Sequence, residues 1–260
     1  MTFSIVTITF NAADCLGRTL DSVMEQSFDG IEHLIIDGAS TDGTVAMAQA
    51  YKERSDAAGN GHTVVVESEP DSGLYYAMNK GLARATGDYV CFLNAGDYLP
   101  TAGTIEKLAQ TAAEAKAGSG ELPAVIYGDT DIVDGAGRYL GPRRLRPPRK
   151  LSWRSFRHGM LVCHQAFYAR TDIARRTPYN TKYRYSADVD WCIRVMKEAA
   201  RLGLPLANAG ATIACYTQEG QTTIHHRESL RERFAVMAEH YGLASTVIMH
   251  AWFVARSLLR

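Results

Sequence analysis

The chain has 260 residues, 46% of them hydrophobic and 22% charged, a composition ordinary for one large globular domain with a substantial core. Lysine plus arginine equals aspartate plus glutamate at 28 each, so the overall field gives no argument for a nucleic-acid partner. No apolar run approaches the ~18 residues of a spanning helix, and the N-terminus enters a strand pattern at Phe3 without the pattern of a signal peptide.

Phe3 to Phe10 alternates and is rich in β-branched residues, which predicts the first strand. Asn11 to Asp14 breaks that pattern, and Leu16, Leu20, Val23 and Met24 then recur at helical spacing until Gly30. Ile31 to Ile36 reads as a second strand, Asp42 to Arg54 as a helix, His62 to Glu67 as a third strand, Tyr75 to Ala85 as a helix and Tyr89 to Leu93 as a fourth strand. Strands alternating with helices at this spacing imply an α/β fold with a mostly parallel sheet covered on both faces. A helix over 102–117 ends in Gly118-Ser119-Gly120, and a strand starts at Val125. Further on, Leu161 to Ala169 reads as a strand, Val189 to Arg201 as a helix, Ala211 to Cys215 as a short strand and Arg227 to Tyr241 as a charged helix.

Between these elements, Arg138 to Arg157 carries eight basic residues and no acidic one, and Gly141, Pro142, Pro147 and Pro148 break it too often for regular structure. Such a segment suits an anionic acceptor or the anionic face of an inner membrane; a solvated loop is the plainer alternative. The tail 244–259, with Trp252, Phe253, Leu258 and Leu259 among small residues, reads as an amphipathic or interfacial helix. The same stripe fits core packing or a homodimer interface. Five cysteines, odd in number and widely spaced, read as reduced thiols of a cytoplasmic protein rather than as a zinc site or a disulfide framework.

Two acidic signatures stand at strand ends: Ile36-Asp37-Gly38-Ala39-Ser40-Thr41-Asp42-Gly43-Thr44 and Leu93-Asn94-Ala95-Gly96-Asp97. Open α/β sheets place their ligand sites there, and strand-end acids can accept hydrogen bonds from a base or hold a cation against a diphosphate. Together with Val6-Thr7-Ile8-Thr9-Phe10-Asn11, Glu69-Pro70-Asp71-Ser72-Gly73-Leu74-Tyr75-Tyr76-Ala77-Met78-Asn79-Lys80-Gly81, and Ala187-Asp188-Val189-Asp190-Trp191-Cys192-Ile193-Arg194, the chain resembles the family 2 glycosyltransferases, inverting enzymes with the GT-A fold. The likeness covers about residues 3–225. It implies a GT-A domain over 1–225, with a nucleotide-sugar half over 1–99 and an acceptor half over 100–225. Residues 226–260 are left for C-terminal helices that associate with a membrane or dimerise.

The resemblance also implies roles. Thr9 and Asn11 would line the turn that holds the nucleotide, Asp37 would accept from a uracil ring, and Asp71 would make another donor contact. Lys80 could reach a phosphate, Asn94 a ribose, and His164 of Cys163-His164-Gln165 the diphosphate, the metal or the acceptor. Asp97 is the one carboxylate of a motif that carries an amide at 94 and a glycine at 96. It would hold Mn²⁺ or Mg²⁺, which can take most of its oxygen ligands from diphosphate and water. Asp188 takes the general-base position, and Asp190 is structural or binds the acceptor. Gly220-Gln221-Thr222-Thr223 resembles a donor-closing loop, followed by His225-His226 as a further diphosphate or metal contact. Asn11, Asp42 and the acids at 188 and 190 are also ordinary residues for helix starts.

These expectations give an enzyme that moves a sugar from a nucleoside diphosphate, of the UDP type, to a hydroxyl on a polysaccharide or lipid-linked oligosaccharide at the cytoplasmic side of a membrane. The missing acids at 94 and 96 favour the alternative of a non-catalytic nucleotide-binding scaffold module. A nucleotidyltransferase is weaker, because Asn11-Ala12-Ala13-Asp14 is no glycine-rich basic loop.

Overall fold

The computed structural model describes residues 1–218 and 226–258, so the loop expected at 220–223 and His225 lie outside the described residues, as does the side chain of His226. One sheet runs through the molecule in the order β3-β2-β1-β4-β7-β5-β6, with β8 on the other side of β5. Its strands are β1 (Phe3–Thr9), β2 (Ile31–Asp37), β3 (Thr63–Ser68), β4 (Tyr89–Phe92), β5 (Val125–Val133), β6 (Tyr139–Pro142), β7 (Phe167–Arg170) and β8 (Leu206–Thr217). The helices are α1 (Ala13–Met24), α2 (Thr44–Ala58), α3 (Leu74–Arg84), α4 (Thr104–Ser119), α5 (Thr171–Arg176), α6 (Ala187–Arg201), α7 (His226–Tyr241) and α8 (Leu243–Leu258).

The first half matches the expected register of alternating elements: β3, β2, β1 and β4 are parallel neighbours. The second half does not. β7 runs antiparallel to both β4 and β5, and β6 antiparallel to β5, while β8, twelve residues long where only 211–215 was expected, pairs β5 in parallel with register shifts. Two further expectations give way here. Residues 161–169 are not one strand: a 3₁₀ turn at His164–Ala166 precedes β7. That turn aims the side chains of 164 and 165 at the carboxyl edge of the sheet. The basic segment, expected to be irregular, contains β6 and a 3₁₀ helix over Trp153–His158 that Ser152 and Ser155 cap reciprocally.

All seven residues of β1 are buried, as befits a central strand covered on both faces. The two-residue period of β2 sends Leu34 and Ile36 to the larger core and Ile35 to a smaller one with Leu16, Leu20, Ala48, Tyr51 and Val64 beneath α1 and α2. α3 presses so closely on the larger face that a Cβ at Gly81 would run into Cγ1 of Val6 and come within 3.3 Å of Cγ1 of Ile36. Gly81→Ala should therefore destabilise the fold by about 1–3 kcal/mol, although alanine favours helix by ~1 kcal/mol elsewhere, because a buried β-branched Val6 on a central strand has no room to yield. Urea denaturation checks this; a variant as stable as the parent would show the packing to be looser than it is described.

Candidate active site

The parallel strands β1, β2 and β4 end side by side, which brings Thr9, Asp37 and the Asn94–Asp97 turn to one edge. Asp37 is fully buried there. Its Oδ1 accepts from Thr9 Oγ1 at 2.8 Å and from Ser40 Oγ, and its Oδ2 accepts from Ser40 N at 2.8 Å and Ser68 Oγ at 2.7 Å. Burial opposes its charge, but the bonds from Ser40, Ser68 and Thr9 outweigh burial and hold the carboxyl below its ordinary range. All four lone-pair sites are thus filled by β1, the β2–α2 turn and β3, so a base can reach Asp37 only when a serine turns aside.

Asn11 adopts a left-handed backbone, φ 48°, which asparagine tolerates better than most residues. Its N–H donates to Ser40 Oγ at 2.8 Å and its Oδ1 accepts from Thr41 N at 2.9 Å, so it ties the two strand-end turns together. Lys80 sits 2.6 Å from Asp71 Oδ1 and 2.8 Å from Glu69 Oε1, and Asp71 Oδ2 is buried without a partner. In this arrangement Lys80 is engaged by acids and any phosphate must compete for it.

The densest cluster lies between β4, the 3₁₀ turn at 164–166, α3 and the start of α6. Asn94 Nδ2 meets His164 Nε2 at 3.1 Å, and His164 Nδ1 lies 3.3 Å from Asp188 Oδ2. An amide NH₂ only donates, so Nε2 accepts and the ring proton sits on Nδ1, facing the carboxylate. The hydroxyl of Tyr75 donates to the other oxygen, Asp188 Oδ1, at 3.3 Å. Asp188 is therefore gripped on both oxygens while its side chain keeps 17% exposure. Burial pushes its carboxyl up, yet the hydrogen bond from His164 and the charge of Arg233 pull it below the ordinary carboxylate range. Tyr75 and Arg233 were not singled out from the sequence. Tyr75 was hidden in a motif read for Asp71 and Lys80, and Arg233, whose Nε is buried without a partner, is one of several arginines in a charged helix.

Asp97 stands beside this cluster, its residue only 4% exposed. Gln165 Nε2 donates to Oδ2 at 2.6 Å and the Thr217 N–H to Oδ1 at 2.9 Å. Burial pushes its carboxyl up to about 6 against the pull of these two bonds. Neither Gln165 nor Thr217 has a sequence signal for this role, since each lies far along the chain from Asp97. Asp190 faces the other way. Its Oδ2 pairs with Arg194 Nε at 2.7 Å and its Oδ1 with His240 Nε2 at 2.8 Å, which fastens α6 to α7.

A divalent cation was expected at Asp97. Among the described residues no group of three acidic, histidine or cysteine side chains could hold a metal by itself. The residues present nonetheless fit a cation that draws most ligands from a diphosphate: Asn94 Oδ1 is a buried hard oxygen with no partner, and Asp97 is a buried carboxylate that lacks a compensating cation. One positioning residue can be tested directly. His164→Ala should lower turnover about 10²-fold with little change in the KM for donor, because Asp188 loses the contact that orients it. Unchanged turnover would show that His164 only fills space.

An α/β sheet whose carboxyl edge collects these acids defines the GT-A glycosyltransferase fold, and solved structures agree. Residues 1–349 of S. aureus TarS superpose with a TM-score of 0.69 at 17% identity over 97% of this chain and 72% of that fragment. The same protein in complex with UDP gives 0.68 at 16% identity, over 100% of this chain and 72% of that one. A mannosyltransferase from Pyrobaculum calidifontis, in complex with GDP-Man and Mn²⁺, gives 0.59 at 18% over 97% and 75%. The model of the glycosyl transferase family 2 matches residues 4–176, and the chain belongs to that family. A PGL/p-HBAD biosynthesis glycosyltransferase of Mycobacterium tuberculosis is 32% identical over 250 residues, 95% of this chain and 89% of the relative. The amylovoran biosynthesis glycosyltransferase AmsB of Erwinia amylovora is 29% identical over 80% of this chain and 69% of its own length.

Proposed function

We propose that the enzyme transfers a sugar with inversion from a UDP-sugar to a hydroxyl of a surface polysaccharide or lipid-linked oligosaccharide. Asp188 is the base. The observation that carries this reading is its carboxylate, ionised, held by His164 and Tyr75, and still partly exposed, with Asn94 on the far side of the His164 ring. From there it can take the proton of the acceptor hydroxyl as the new C–O bond forms, while the nucleoside diphosphate leaves from the opposite face of the sugar. The negative charges of a bound donor would raise the basicity of Asp188 from its depressed resting state.

When bound, Mn²⁺ or Mg²⁺ would neutralise charge developing on the leaving diphosphate, with Asp97 and Asn94 as its protein ligands. Thr9, Asn11, Asp37, Asp71 and Lys80 shape the nucleotide side: Asp37 after Ser40 rotates, Lys80 by exchanging an acid for a phosphate. The acceptor class is supported by the relatives named for PGL/p-HBAD and amylovoran biosynthesis. Two observations favour a non-catalytic nucleotide-binding module instead: an amide at 94 and a glycine at 96, and the occupation of both Asp97 oxygens by protein donors. Calorimetry with UDP and GDP, with and without Mn²⁺, followed by release of sugar from the matching donor, separates the readings. Metal-strengthened UDP binding with slow donor hydrolysis is expected; binding without any hydrolysis or transfer would support the scaffold.

A further inference from the structure

The last helix is built inside out. Leu243, Val247, Ile248 and Trp252 of α8 are exposed, from 48% to 67%, and the other exposed residues described in this helix are alanines. At ~100° per residue these positions cover roughly half the circumference. Two of its described polar residues turn inward: Thr246 is buried, and the half-buried ring of His250 packs on Phe234 and Phe253 with centroids 4.9 and 5.6 Å away. A helix that only caps its own domain shows the reverse pattern.

Beside this face lies positive charge. Arg144, Arg146, Arg149, Lys150 and Arg154 are exposed, and among the described residues none of them pairs with a carboxylate. The segment is fixed to the last residue of α7, two residues before α8 starts. Trp153 stacks on Tyr241 with centroids 5.8 Å apart, the Tyr241 hydroxyl donates to the Trp153 carbonyl, and the Arg154 guanidinium lies 4.6 Å from the Trp153 ring. Leu243 follows Tyr241 by two residues, so the Trp153–Arg154 end of the cationic segment adjoins the start of the apolar face.

We propose that these two features form one surface that seats the enzyme on an anionic lipid bilayer, with α8 lying in the headgroup plane. Interfacial helices combine an apolar face with flanking cations in this way, the first entering the acyl boundary and the second meeting lipid phosphates. A second copy of the chain fits the charge less well, because a twofold contact through α8 would bring two cationic segments together with no acid between them.

The proposal does not rest on the assignment of the sugar-transfer site, and its test contains no nucleotide sugar. The full chain is sedimented with vesicles of phosphatidylcholine alone and with vesicles containing about one third phosphatidylglycerol. Binding to the anionic vesicles should be at least about tenfold tighter and should fall with added salt. Ile248→Asp, and separately Arg144→Glu with Arg149→Glu, should each weaken it at least about tenfold without changing the melting temperature, since all three side chains are exposed. Val247→Asp repeats the apolar arm should Ile248→Asp fold poorly. Equal or absent binding to both vesicle types overturns the proposal. So does a parent dimer that Ile248→Asp splits while vesicle binding stays unchanged, an outcome that would assign the face to a second copy.

Discussion

The Asp188→Asn enzyme should bind UDP as the parent does and transfer sugar at least about 10³-fold more slowly. The substitution keeps shape and leaves the Asn94, His164 and Tyr75 frame in place, but removes the only carboxylate of that cluster able to accept the hydroxyl proton. Because Asp97 and Asp37 lie outside this frame, nucleotide affinity should change less than about threefold, which calorimetry resolves. Asp188 stays ionised down to low pH, so its own titration should not limit turnover near neutrality. An Asp188→Asn variant that keeps a tenth of parental turnover would remove the base assignment, and equal loss of UDP binding would make the residue a donor ligand instead.

Asp97→Asn has the opposite signature, weak metal-supported UDP binding in a more stable protein. The carboxyl titrates at about 6 in the fold against an ordinary value of 3.8. The folded state therefore favours the protonated form: the stability this provides is fully present below the ordinary value and is lost as pH rises through about 6. At pH 8 the metal-free parent carries a buried charge that the variant lacks, and relief of up to ~3 kcal/mol should appear as a higher melting temperature. Loss of the charge-assisted bonds from Gln165 and Thr217 offsets part of that gain. With Mn²⁺ present the order reverses for binding: the parent's affinity for UDP should fall toward tenfold per pH unit below about 6, while the variant's is weak and flat. A variant that binds UDP with Mn²⁺ as tightly as the parent would exclude Asp97 as the metal ligand.

How much of this was legible in the sequence follows the range of the interactions. β1, β2 and β4 could be read because each is a short β-branched or apolar run, and β2 and the turn after β4 carry the acids Asp37 and Asp97 at the carboxyl end. The pairing of β5 with β8 could not, since β8 begins in small residues, Ala207-Asn208-Ala209-Gly210-Ala211, that show no period. His164 could be found by its motif, but not its partner: a 3₁₀ turn replaces the expected strand and swings the ring onto Asp188. Asp37 was legible as a strand-end acid, whereas its saturation by Thr9, Ser40 and Ser68 depends on three segments meeting. The apolar content of α8 was visible in composition, yet only the fold tells which side of it faces solvent.

A crystal structure with UDP and Mn²⁺ tests the central claim most directly, namely that one sheet edge gathers its acids around a sugar nucleotide. The expected result places the uracil near Asp37, the diphosphate and cation at the Asn94–Asp97 turn, and Asp188 facing them across the cleft. The opposite edge of the sheet offers an open cavity of about 640 Å³ lined by Asp88, Lys116, Arg170 and Arg175. A nucleotide bound there, or a cation that leaves both Asn94 and Asp97 untouched, would contradict the account.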